Sequence, residues 1–189
     1  MEPVTGIEGA GSSRGDVLAR RLASAVPCAG VWDWIEFGSL SAAGRVDAVV
    51  AVERLLRHVQ ALSVRALGAL AAHPDPEVRA GSNWQTEQAG NLADLQAALA
   101  LSPVAARVRL YDADILTSRH PEVVDLLAAG EIQMQQASAV VAVTDVLDED
   151  AARAAVGGVL DRMAERTVSS TRQLLRRAAM KAEDRKSVV

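Results

Sequence analysis

Three histidines, His58, His73 and His120, and one cysteine, Cys28, are the side chains best suited to metal or nucleophilic chemistry. None has a companion at a useful spacing. There is no His-x-x-x-His or His-Glu pair, so no helix offers two imidazoles to one ion. Each histidine reads as a surface or helix-end residue. A lone cysteine forms neither an internal disulfide nor a cysteine-based zinc site, and Cys28 reads as a small buried hydrophobe. The only lysines are Lys181 and Lys186, and no Gly-x-x-x-x-Gly-Lys-Ser/Thr loop is present to cradle phosphates. A Gly-x-Ser-x-Gly elbow is also missing. The acid pairs Asp112/Asp114 and Glu149/Asp150 sit too close in sequence to face each other on a helix. Asp112 and Asp114 read as solvated residues, and Asp148–Asp150 as a helix start that suits the dipole. These residues do not point to an enzyme, and they imply no metal and no cofactor.

Two groups of basic residues suit nucleic acid better. Residues 92–116 read as two helices meeting at a tight turn, a helix-turn-helix outline whose second helix offers Arg107 and Arg109 near its start. Asp112 and Asp114 follow at once, and Ala100 stands where the turn favours glycine, so a plain helical hairpin explains the segment equally. The second group lies at the C-terminal end. Residues 161–189 carry eight basic and four acidic side chains, whereas the chain as a whole has a net charge of −4. On the last helix Arg172/Arg176 and Arg177/Lys181/Arg185 form rows four residues apart, away from an apolar stripe of Leu174, Leu175, Ala178 and Ala182. These rows suit phosphate contacts; a solvated basic helix end that complements the dipole is the plainer reading.

The elements that position these residues are helices. Of 189 residues, 36 are Ala and 3% are aromatic, a balance that favours helices and disfavours a β-sandwich or barrel. The segment up to Gly15 shows no apolar periodicity and reads as a disordered leader. Residues 16–40 hold a short helix and a docking segment with Trp32, Trp34 and Phe37. Ser41 caps a long helix predicted to reach His73, where Pro74 and Pro76 stop it. Ala48, Val52, Leu55, Val59, Leu62, Ala66 and Ala69 alternate in steps of four and three. That is a heptad seam wanting a partner helix, in another subunit or elsewhere in the chain. Further helices are predicted over 85–101, 103–118, 121–129, 133–146 and 148–166. The last runs from a capping-box pattern at Ser170 and Gln173 to Asp184. The expectation is an all-α bundle of seven or eight helices. No uncharged run is long enough to span a bilayer. With no signal-type opening either, the expected compartment is the cytoplasm.

The middle of the chain is similar to a known actinobacterial family. Ala-Val-Glu-Arg-Leu at 51–55 with Val-Arg-Ala-Leu-Gly-Ala-Leu-Ala-Ala at 64–72 resembles its long opening helix. Ala-Leu-Ala-Leu-Ser-Pro-Val-Ala-Ala-Arg at 98–107, Leu-Leu-Ala-Ala-Gly-Glu-Ile at 126–132 and Arg-Gln-Leu-Leu-Arg-Arg-Ala at 172–178 resemble its next motifs, in the same order. The family is the 13E12 repeat family, whose shared module is domain of unknown function 222. Gln133 departs from its Ser or Thr. The resemblance implies a helical module over 41–189 that commonly precedes an HNH nuclease domain. The paired histidines and asparagine of that nuclease have no counterpart here, so the resemblance implies a truncated copy or an isolated module without catalytic residues. Three functions follow as expectations. The first is an accessory that engages DNA through Arg107, Arg109, Arg172, Arg176, Arg177 and Lys181. The second is an association module pairing through Val52, Leu55, Val59 and Leu62, as a homo-oligomer or with the missing part of a full-length relative. The weakest is a helix-turn-helix regulator.

Overall fold

Several helices begin at a side-chain cap, and two end just before Pro121 and Gly130. The computed structural model describes Gly38, residues 40–72 and residues 82–187, with the side chains of 82–87 and 184–187 outside that description. Eight helices are found among the described residues: α1 (Ala42–Ala71), α2 (Ser82–Leu99), α3 (Pro103–Arg119), α4 (Pro121–Ala128), α5 (Met134–Thr144), α6 (Glu149–Gly157), α7 (Leu160–Met163) and α8 (Val168–Ser187). No strand occurs among them, as the all-α reading expects. The leader, Cys28, the aromatic segment with Trp32, Trp34 and Phe37, and His73 lie outside the described residues. The chain divides into units between Arg45 and Val46, so all but the first turn of α1 belongs to the second unit.

Local chemistry accounts for the boundaries. Ser41, Ser102 and Asp148 cap α1, α3 and α6, their side-chain oxygens accepting the amides of Gly44, Ala105 and Ala151 at 3.1, 3.2 and 3.0 Å. Two helices end in the same motif. After α2, Ala100 takes φ +51° and the Leu101 amide reaches back to the Gln96 carbonyl. After α4, Gly130 takes φ +74° and Glu131 reaches back to Leu126. Glycine makes that left-handed residue easy at 130; alanine adopts it at 100 at a cost of about 1–2 kcal/mol.

Two expectations need correction. The helix predicted over 148–166 is broken in two, because adjacent Gly157 and Gly158 end α6 and Val159 turns the chain into α7. The last helix starts earlier than Ser170. Its cap is Thr167, whose Oγ1 accepts the Ser170 amide at 3.3 Å.

α5 is central, packing against α3, α4, α6 and α8. Its buried Ala137, Ala139, Val140 and Val141 join Leu116, Leu127, Ile132, Met163 and Leu175 in one core. Each such large side chain contributes about 1.5–3 kcal/mol by burial. The inward face of α1 supplies Ala61 and Val64 to this core, with Leu67 packed against it and Gly68 and Ala71 further along. Gly68 marks the closest approach. A Cβ there would collide with the Thr117 side chain, lying 2.9 Å from its Cβ and nearer still to Oγ1.

Gly68→Ala is expected to destabilise the chain by about 1–3 kcal/mol in urea denaturation. In a Thr117→Ala background the same change is expected to cost about 1 kcal/mol less. Strict additivity of the two substitutions would show that the helices do not meet at this point.

Candidate functional site

The inward face of α1 carries a polar job as well as an apolar one. Gly130 lets the chain pass within 3.2 Å of the Arg54 backbone, measured from where its Cβ would stand, and this brings the carbonyl end of α4 against α1. Three cationic or ring nitrogens meet it. Arg54 Nη2 donates to the Ala129 carbonyl at 3.3 Å, Arg57 Nη1 to Gly130 at 2.9 Å, and His58 Nδ1 lies 2.8 Å from the Ala128 oxygen. Positive charge at a helix C-terminus offsets both the dipole and the unsatisfied carbonyls. Arg65 adds an ion pair with Asp125 at 3.0 Å. The spacing i, i+3, i+4 of Arg54, Arg57 and His58 was the available signal, but the sequence does not say which carbonyls they would find.

The outward face of α1 is left bare. At 100° per residue, the seam residues lie about half a turn from Ala61, Val64, Gly68 and Ala71. Val52, Leu55, Val59 and Leu62 keep 39%, 36%, 51% and 49% of their surface exposed, and Val49 and Leu56 beside them are also exposed. Ala66 and Ala69 continue the seam in the open, whereas Ala48 at its start is buried.

The two arginines of the helix-turn-helix outline are not brought together. Arg107 lines a groove of about 370 Å³ with Gln88, Tyr111 and Asp114. Arg109 lines a second groove with Gln60, Asp112 and Ser138. Each therefore stands beside a carboxylate, on a different side of α3.

The α8 cations are separated too. Arg172 and Arg176 border an apolar groove with Val146 and Met180, between α5 and α8. Arg177 and Lys181 lie on the other flank, in a groove of about 290 Å³, and there they meet Arg162 of α7. Arg162 is a residue that the helical rows of α8 could not disclose. All five side chains are exposed or groove-lining, and none of them forms an ion pair among the described residues. The side chains of Arg185 and Lys186 lie outside the described residues.

Polar groups elsewhere pair with one another in part. Tyr111 donates to Asp145, and that bond, aided by burial, raises the phenol above its ordinary range. Asp112 is half-buried rather than solvated. Burial raises its carboxyl, while a hydrogen bond from Ser138 Oγ at 3.3 Å works the other way. His120 joins α3 to α4, as a helix-end residue should, but it is not on the surface. Only 1% exposed, it places Nε2 3.1 Å from Thr144 Oγ1 and leaves Nδ1 without a hydrogen-bond partner, 3.8 Å from Glu122. Among the described residues no group of three His, Cys, Asp or Glu side chains is placed to hold a metal ion. Nor is any helix of the described residues long and apolar enough to cross a membrane. No family model, curated protein or solved structure matches the chain.

Burial lowers the His120 imidazole below its ordinary value, against the opposing pull of Glu122. In the unfolded chain the ring binds a proton at a higher pH than in the folded one. The unfolded state therefore takes up more protons between the two values, and stability falls as pH drops below about 6.5. Thermal melts across pH 5–8 (about 5 to 8, bracketing the free imidazole) are expected to show this loss in the wild type and a flatter profile in His120→Gln. Parallel profiles for the two proteins would remove His120 as the cause.

Proposed function

We propose that the chain is a non-catalytic helical association module that pairs with a second copy of itself along the outward face of α1. One observation carries this reading: the seam residues stand exposed on the side of α1 opposite the buried one. Their pattern favours a like partner. Val52 and Val59 fall at the a positions of the heptad and Leu55 and Leu62 at d, the combination that suits a parallel two-stranded coiled coil. The inward contacts of Arg54, Arg57 and His58 keep this helix from rolling to bury the seam against its own domain. The four motifs similar to the 13E12 family give the module a setting, as a scaffold working beside an HNH nuclease that is not encoded in these residues.

A second reading, contact with DNA, has one observation in its favour. Among the described residues Arg172, Arg176, Arg177 and Lys181 form no ion pair, in a chain whose net charge is −4. Each phosphate so neutralised would steepen the salt dependence by about 0.9 log unit. Arg107 and Arg109 serve this reading less well, because they stand on different sides of α3 next to Asp114 and Asp112. The helix-turn-helix regulator is weakened by the same separation.

Light scattering decides the first reading. The expected mass is twice the 19.9 kDa of one chain. Leu55→Asp with Leu62→Asp is expected to halve that mass while the helical circular dichroism is kept, since both side chains are exposed. A wild type that stays monomeric at every concentration would overturn the pairing. A monomeric wild type whose double variant also loses helix would assign the seam to an internal core instead.

A further inference from the structure

We infer that the groove between α6, α7 and α8 is a binding site for a phosphate group. The inference deepens the DNA-contact reading by naming a site and its chemistry, and it does not depend on pairing through α1. Three cations from two elements converge there: Arg162 from α7, and Arg177 and Lys181 from α8. Among the described residues no acidic side chain lines the groove. Asp161 and Glu165 are exposed nearby, but neither forms an ion pair with these cations among the described residues. The rest of the lining is Ala154, Gly158, Val159, Leu174, Ala178 and Ala182, which offers a phosphate no competing anion.

The one unfavourable feature is already neutralised. The carbonyl end of α6 opens toward the groove, and its negative pole would repel an anion. Arg162 Nη2 donates to the Gly158 carbonyl at 2.7 Å, which both caps that end and fixes the guanidinium at the groove wall. Its other nitrogens have no protein acceptor among the described residues. A guanidinium so anchored, with a second guanidinium and an ammonium facing the same space, matches the fork-and-point-charge arrangement that recognises phosphate oxygens. The other flank of α8 differs. There Arg172 and Arg176 border exposed Val146 and Met180, with Glu183 also lining the groove.

The probe is pyrophosphate, titrated into the full ¹⁵N-labelled chain and followed by amide resonances. The expected result is saturable shifts at Gly158, Val159 and Arg162. Binding should weaken about tenfold in Lys181→Gln, a substitution at an exposed side chain that leaves the fold intact. Arg162→Gln should weaken it at least as much, with amide dispersion reporting whether the cap on α6 is still formed. Arg172→Gln with Arg176→Gln should leave it unchanged. Absence of saturable shifts would overturn the site, as would equal weakening by the substitutions on the other flank. A short duplex added to the pyrophosphate-bound chain identifies the source. Displacement of pyrophosphate makes the backbone of nucleic acid the natural occupant, whereas a duplex that leaves it bound makes a free phosphate compound the occupant. Duplex binding that depends on Arg172 and Arg176 alone, with no pyrophosphate bound, would sink the groove and leave the DNA reading standing.

Discussion

The structure depends on which face of α1 is buried. The helix is apolar on two sides about half a turn apart, and only one of them meets the core. The side with the larger hydrophobes is the one left in solvent, so burial of apolar area does not explain the choice. Close approach explains it. Gly68 lets α1 sit against Thr117 of α3, where a side chain at this position would hold the helices apart. The polar term acts in the same direction. Arg54, Arg57 and His58 reach the carbonyl end of α4 only when α1 presents this face. The Arg57–Gly130 bond is part-buried, and that carbonyl left without a partner would cost about 1–3 kcal/mol, comparable to one exposed leucine.

A second polar device holds the other half of the molecule. Gln136 is buried at the start of α5, where its Oε1 accepts the Gln133 amide at 2.8 Å. Its Nε2 contacts the Met163 and Arg166 carbonyls, at 2.8 and 3.1 Å, and Thr171 Oγ1 at 2.9 Å. One amide thus ties the central helix to the end of α7 and the first turn of α8. Those are the two elements that carry Arg162, Arg177 and Lys181. The position of the cationic groove therefore rests on a neutral side chain in the core, and a buried amide tolerates few alternative arrangements.

Much of the helical architecture was legible in the sequence because it is set by local chemistry. Ser41, Ser102 and Asp148 act as caps at the residues where side-chain oxygens precede apolar periodicity, and Pro103 and Pro121 open their helices. The heptad seam was legible for the same reason, being a matter of spacing alone. Local rules failed where two neighbouring signals competed. Ser170 with Gln173 looked like a capping box, yet Thr167 caps the helix, since an earlier hydroxyl lets Thr171 be buried in the first turn. Gly157-Gly158 was passed over within an Ala-rich run that otherwise reads as helix. Distant pairings were not legible at all. Nothing local says that Arg57 will find Gly130, that Arg162 will face Lys181, or that Asp112 and His120 will be covered by α5. These facts arise only when separate helices pack.

The two proposed surfaces would serve different kinds of partner, and they lie on different helices. The seam on α1 is apolar and self-complementary in spacing, so it suits a twofold pair. The groove on α8 is cationic and lies on elements that take no part in the seam. In a twofold pair each groove is duplicated at a fixed separation. On that proposal a polymer with regularly spaced phosphates would engage both at once and gain from the high effective concentration of the second contact. A small phosphate compound gains nothing, because each groove fills independently. Association through α1 and charge on α8 are therefore separable in a free ligand and coupled in a polymeric one.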